Sequence, residues 1–260
     1  MSAAVLNVTV GAHTYEASLN PSANKDAMAQ VIDYTKTVNG GFRTLQFAEK
    51  VTKVAAQILK DLGSEFSSIF KETGDKLGAV TSGMGLLRLP EVTKDAVRVV
   101  SEPKGDLRSN VELVNKVADA ASAWTYAGLF FTGNPALADA AKVTDAASSV
   151  TSLALDMEDY QLVNRHLEII RSASTRVPEV EQRYADALQG AFITLVKDVC
   201  SAASAVLGLM ALVLGGPLLP ALVLMGIGLV STTAAIASHF FKETRPYLKV
   251  DVDALRQVVI

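Results

Sequence analysis

The sequence predicts a mainly α-helical protein: an amphipathic helical bundle with a C-terminal hydrophobic helical hairpin and a short N-terminal β-hairpin. Three observations carry this. Long segments repeat apolar residues at three- and four-residue steps, the period of one helix face. Half of the 260 residues are hydrophobic but only 6% are aromatic, a composition dominated by small and aliphatic side chains. The 43 residues from Val199 to Phe241 contain no Asp, Glu, Lys or Arg, so the rest of the chain is about 24% charged, close to an ordinary soluble protein. The mean hydropathy of +0.28 is therefore an average over two unlike materials. Disorder is excluded, because a half-apolar chain of net charge −3 can bury enough surface to offset its ordering entropy. With a pI near 5.7 and no basic block, the chain is not expected to bind nucleic acid. The single cysteine, Cys200, leaves no internal disulfide framework and suits a reducing compartment or a membrane.

Residues 1–23 read as a leader or a short β-hairpin. Leu6, Val8 and Val10 alternate with polar residues, as do His13, Tyr15 and Ala17, and Gly11 can form the turn between them. A cleaved secretory signal does not fit, because no cation precedes an unbroken apolar core; a polar, Ser/Ala/Asn/Thr-rich export leader is the alternative.

Residues 24–190 form the amphipathic helical region. A helix near Lys25 to Val38 is expected to stop at Asn39-Gly40-Gly41, and the next covers Phe42 to Leu62. On its wheel Leu45, Phe47, Val51, Val54 and Ile58 share one half, while Arg43, Lys50, Lys53 and Lys60 share the other. Such a helix can lie on an anionic membrane with the first set inserted and the cations at the head groups, or it can pack on neighbouring helices. A glycine-rich interval, Gly74 to Gly85, leads to Leu86-Leu87-Arg88-Leu89-Pro90. Further helices are expected over Glu91–Val100, Leu107–Phe131 and Pro135–Ala173, and Pro178 opens another. Trp124, Tyr126, Phe130 and Phe131 bunch before Gly133-Asn134-Pro135 and suit either an interface or a core.

Residues 191–241 form the hydrophobic hairpin, the expected membrane anchor. Gly215, Gly216 and Pro217 mark its turn. The limbs, Val199–Leu214 and Pro217–Ser238, would be roughly 24 and 33 Å long as helices against a bilayer core of about 30 Å; residues Phe192 to Val196 would extend the first. Small residues recur along one side of each limb, Ser204, Gly208, Ala211 and Gly215 on the first and Gly228, Ser231 and Ala235 on the second, which suits close helix packing in lipid. Lys197 precedes the pair, and Lys242, Arg245 and Lys249 follow it, which favours the cytosolic side for both ends. A hairpin buried in a soluble helical protein is the alternative, and the unbroken length favours the membrane. Residues 242–260 are a short amphipathic tail.

No catalytic pattern stands out. His13, His166 and His239 are far apart, with no HExxH, no CxxC, no phosphate loop and no nucleophile elbow. The group Asp156, Glu158, Asp159, Arg165, His166 and Glu168 scatters around the wheel and reads as a solvated helix face. No enzyme activity, metal or cofactor is expected.

Gly40-Gly41-Phe42-Arg43-Thr44-Leu45-Gln46-Phe47 resembles the opening of an amphipathic helix in the peroxisomal membrane-elongation proteins, the peroxin-eleven family. Leu86-Leu87-Arg88-Leu89 is similar to that family's second basic-apolar segment, and Leu195 to Cys200 and Gly226 to Ser238 resemble its late helix and final membrane segment. The architecture of a leader with a single charge, a helical region and two close apolar limbs also resembles chlamydial inclusion membrane proteins, which are secreted and expose a soluble part to host cytosol. Either resemblance implies a protein of an organelle or vacuole membrane with its helical part facing cytosol and the lipid bilayer as partner. A homo-oligomer and a protein partner on the helical region are compatible with both. The expected function is membrane binding and shaping; an adaptor that recruits a partner and a pore former that is soluble before inserting its hairpin are the rivals.

Overall fold

Alternation at the N-terminus gives two strands, β1 (Leu6–Val10) and β2 (His13–Ala17), paired antiparallel with Val8 opposite Tyr15 and Val10 opposite His13. In this computed structural model the described residues are 6–10, 13–20, 23, 26–102, 105–247 and 249–257; the expected turn at Gly11 and the tail residues Val258 and Val259 lie outside them. The helices follow in chain order: α1 (Ala27–Lys36), α2 (Val38–Asp61), α3 (Ser67–Gly85), a 3-10 turn (Leu86–Arg88), α4 (Leu89–Ser101), α5 (Leu107–Thr132), α6 (Pro135–Ser172), α7 (Pro178–Leu214), α8 (Ala221–Thr244) and α9 (Val252–Arg256). The protein is mainly α with a short two-stranded hairpin.

Several of these limits have visible local causes. Asp106 caps α5 by accepting from the Ser109 amide, and Gly133, at φ 64°, ends it. Pro178 stands in the first turn of α7, where a missing amide costs no helical bond. Two expectations are corrected. The chain does not stop at Asn39-Gly40-Gly41; it breaks at Thr37, whose hydroxyl accepts from the Gly40 amide at 2.9 Å while donating to the Tyr34 carbonyl at 2.7 Å. Gly40 is needed there for space, because a Cβ would stand 1.9 Å from the Tyr34 carbonyl oxygen. The glycine-rich interval Gly74 to Gly85 is helical and belongs to α3.

Two compact units form from interleaved stretches, so the division does not follow the linear segments of the sequence. Unit 1 consists of Met1–Ile32, Asp156–Leu195 and Ala237–Ile260. Its core sets Val8, Tyr15 and Ala17 of the hairpin against Val163, Leu167 and Ile170 of α6, Val180 and Tyr184 of α7, and Val250 and Leu255 near the C-terminus. The spacings 163/167/170 and 180/184 place each set on one helix face. The Tyr15 hydroxyl and His166 Nδ1 are 3.1 Å apart, and the Tyr15 ring meets Tyr184 edge-on at 5.5 Å. Arg183 donates to the carbonyls of Glu16 and Lys249, and Arg256 pairs with Asp159. Of the 156–168 group, Glu158, Arg165 and Glu168 are exposed as expected of a solvated face, whereas His166 is completely buried and Asp159 pairs with Arg256.

Unit 2 consists of Asp33–Leu155 and Val196–Ile236. Its buried apolar residues are mostly alanines, among them Ala56, Ala118, Ala127, Ala141, Ala202 and Ala234, with Phe42 and Val92. Asn115 of α5 ties that helix to α6 through the Ser148 carbonyl (2.9 Å) and the Thr151 and Ser152 hydroxyls. Trp124 of α5 donates to Thr93 of α4 at 3.0 Å.

Burial pushes the His166 imidazole below its ordinary value of 6.5, with His13 and Arg165 acting in the same direction and the Leu255 backbone opposing them. A base with a depressed folded pKa binds fewer protons folded than unfolded. Its contribution is therefore complete above about pH 6.5 and is lost as the pH falls through the folded value. The thermal midpoint of the wild type should drop below about pH 6.5, and His166→Asn should flatten that part of the profile. Gly40→Ala should cost more than about 2 kcal/mol in chemical denaturation, since backbone must move to admit the methyl.

Candidate functional site

The hairpin turn forms as the residues dictate. Gly215 adopts φ 74°, and the Gly216 amide returns to the Ala211 carbonyl at 3.0 Å, the six-to-one bond of a Schellman helix end. Pro217 cannot continue the helix, and α8 begins after Pro220. Both α7 and α8 are long and apolar enough to cross a membrane, and only 11% and 22% of their apolar windows are buried. Val206, Met210, Val213, Leu222, Val223 and Val230 are exposed.

Hydroxyls join the two helices. Ser201 and Ser231 are 2.7 Å apart, Ser231 also donates to the Lys197 carbonyl, and Thr194 meets Ser238 at 3.1 Å. The expected continuous small-residue seam is divided among different neighbours. Ser231 meets α7, Gly228 faces Lys50 of α2, and Ser204 and Gly208 line a cavity. A Cβ on Gly208 would meet nothing within 4 Å, so this glycine is not a close-packing position. Ala211 and Ala235 are half-buried.

Helix α2 divides sharply into two faces. Phe47, Val51 and Ile58 are 37%, 40% and 44% exposed, and Leu45 and Val54 are half-buried. The opposite face turns inward, which corrects the expectation of outward head-group cations for Arg43 and Lys50. The Lys50 ammonium donates to the Gly228 carbonyl at 2.8 Å and the Thr232 hydroxyl at 2.7 Å. Arg43 donates to Gln46 and lies over the edge of a cavity beside Phe42. Lys53 pairs with Glu49 at 2.7 Å, and Lys60 alone of the four is exposed. Helix α3 comes close to this polar face at Gly74 and Gly78, where a Cβ would stand 2.9 Å from Lys53 and 3.1 Å from Glu49.

Two cavities inside unit 2, of about 540 and 560 Å³, share the lining residues Glu49, Lys50, Tyr126 and Asp145. Asp145 accepts from the Ser122 hydroxyl and from Tyr126 at 2.6 Å. Burial, then the Asp145 charge, raises the Tyr126 phenol, while burial lowers Lys50. Burial first and the Arg88 charge second lower Arg43. The sequence reading missed Arg88, Ser122, Asp145 and Thr232 as members of this interior. The available signal was the run Ser231-Thr232-Thr233, three hydroxyls inside an otherwise apolar limb.

Compared with protein-family models, curated proteins and solved structures, the chain matches none.

Gly208→Ala should be neutral or raise helix stability by up to about 1 kcal/mol, because the space is open and alanine is the better helix former. Lys50→Met should destabilise by about 1–3 kcal/mol, since it removes the donor to the Thr232 hydroxyl and one of the donors to the Gly228 carbonyl, which keeps its bond from Thr232. Both are read in denaturation of the detergent-solubilised chain.

Proposed function

We propose that this chain is a non-enzymatic, membrane-anchored helical protein that binds and shapes a membrane. The observation that carries the reading is the hairpin itself: two spanning-length apolar helices with small buried fractions, joined by a tight glycine turn. Removing one exposed Leu, Val or Phe side chain from water is worth about 1.5–3 kcal/mol, so a surface of this kind drives insertion. Helix α2 adds a second apolar face through Phe47, Val51 and Ile58. A hairpin entering from one side, with such a face at the interface, expands one leaflet and favours curvature. The flanking Lys197, Lys242, Arg245 and Lys249 favour the cytosolic side for both hairpin ends. The peroxisomal and inclusion-membrane resemblances supply two host membranes in which to look.

The expressed full chain should stay with membranes through alkaline extraction. Val223→Lys with Val230→Lys should release it, as a lysine at the bilayer centre costs about 2.5–3.5 kcal/mol. Release of the wild type would remove the anchored reading. If α2 contributes to shaping, Val51→Glu should keep anchoring but reduce tubulation of anionic vesicles by the reconstituted chain. Equal tubulation would leave an anchor without that activity.

A further inference from the structure

The cavity of about 540 Å³ in unit 2 collects two guanidiniums and an ammonium, Arg43, Arg88 and Lys50. Arg43 comes from the second turn of α2 and Arg88 from the 3-10 turn between α3 and α4; their guanidiniums lie 5.9 and 5.3 Å from the Phe42 ring. Among the described residues, neither guanidinium has a carboxylate within ion-pair distance, and the buried Arg88 Nε has no hydrogen-bond partner. The hydrogen bonds Lys50 donates to Gly228 and Thr232 end on neutral oxygens, which orient the ammonium, and the Glu49 carboxylate acts on it through its charge.

Three carboxylates share the lining. Glu49 is held by Lys53, and Asp145 by the Ser122 and Tyr126 hydroxyls. The carboxylates whose charge acts on Arg43 are Asp119, also in the lining, and Asp198, which pairs with Lys197. Two like-charged forks are thus held at one cavity with donors to spare, an arrangement that matches an oxyanion bound bidentately. Phe42, Leu86, Val92, Leu129 and Phe130 supply apolar walls to the same cavity, and Phe130 is half-exposed.

We propose that this cavity binds a phosphate group through Arg43 and Arg88, with Lys50 as a third cation, and that the phosphate belongs to an amphiphile whose chains lie on the apolar walls. The shared chemistry is a phosphate monoester or diester; a lipid head group and free inorganic phosphate are its two sources. The proposal goes beyond membrane anchoring and stands without it, because the site is internal to unit 2 and independent of where the hairpin rests.

The test uses the full chain in detergent and follows thermal unfolding as phosphatidic acid or inorganic phosphate is added. Should alkaline extraction show the chain to be soluble, the same titration uses short-chain phosphatidic acid in buffer. A rise in midpoint with phosphatidic acid alone supports an amphiphile. A rise with both supports the phosphate site and assigns binding to the phosphate rather than the chains. No rise with either overturns the proposal. Arg43→Gln and Arg88→Gln should each weaken phosphatidic acid binding about tenfold or more. Arg43→Lys should recover part of the loss, while Lys76→Gln, on the exposed face of α3 and outside the cavity lining, should leave binding unchanged. A double Arg43→Gln/Arg88→Gln chain that binds like the wild type, or a Lys76→Gln loss as large as either arginine's, overturns it. If the arginine variants do not fold, the wild-type titration still decides.

Discussion

In unit 2 the helices meet through alanines, hydroxyls and the half-buried Lys50 ammonium, while many of their large apolar side chains are exposed. The bond from Lys50 to the Gly228 carbonyl and Thr232 hydroxyl is the centre of this arrangement, because it draws the polar face of α2 onto the apolar helix α8. Alanine buries little area, so apolar burial in water is a weak source of cohesion for such a bundle. Hydrogen bonds and close packing supply cohesion when the surroundings are apolar, and there the outward Val, Phe and Met side chains lose nothing by being exposed. The same constraint leaves polar space inside: hydroxyls and ions that face inward need room and partners, and the two adjoining cavities are the result.

Unit 1 follows the opposite rule. Leu167, Val163, Ile170 and Val180 are almost completely buried, the strands present Val8 and Tyr15 to them, and charged residues stand at the margin in pairs. The wholly buried His166 is partnered by the Tyr15 hydroxyl at Nδ1. One chain therefore contains a core of buried aliphatic side chains and a bundle joined largely by alanines and hydroxyls. The division was invisible in the average hydropathy, and its boundaries fall within α6, α7 and α8 rather than in loops.

Much of the helical framework was legible. Asp106, Pro135, Pro178 and Gly215 act locally through caps and turns, and the observed ends of α5, α6 and α7 fall within a residue of the expected ones. The two faces of α2 were legible as well, but not which of them turns inward. A helical wheel separates apolar from polar residues, and the choice between them depends on what α3, α5 and α8 offer. Gly40 read as a stop because glycine usually is one; its role is to let α2 approach the Tyr34 carbonyl, a distance no local pattern encodes. Arg88 stood out only as part of a basic-apolar segment and Asp145 gave no signal, since both come from segments far from α2 in the chain and reach the same interior only in the folded unit.

The interleaving of unit 1 bears on the order in which the protein is made. Its core needs Val250 and Leu255, while the hairpin turn at Gly215 is synthesised well before them. During translation the apolar limbs therefore leave the ribosome while unit 1 still lacks its last core segment, and β1 and β2 wait for partners more than two hundred residues downstream. Long-range closure of this kind is slow compared with helix formation. The hairpin meets its surroundings first, and unit 1 closes afterwards.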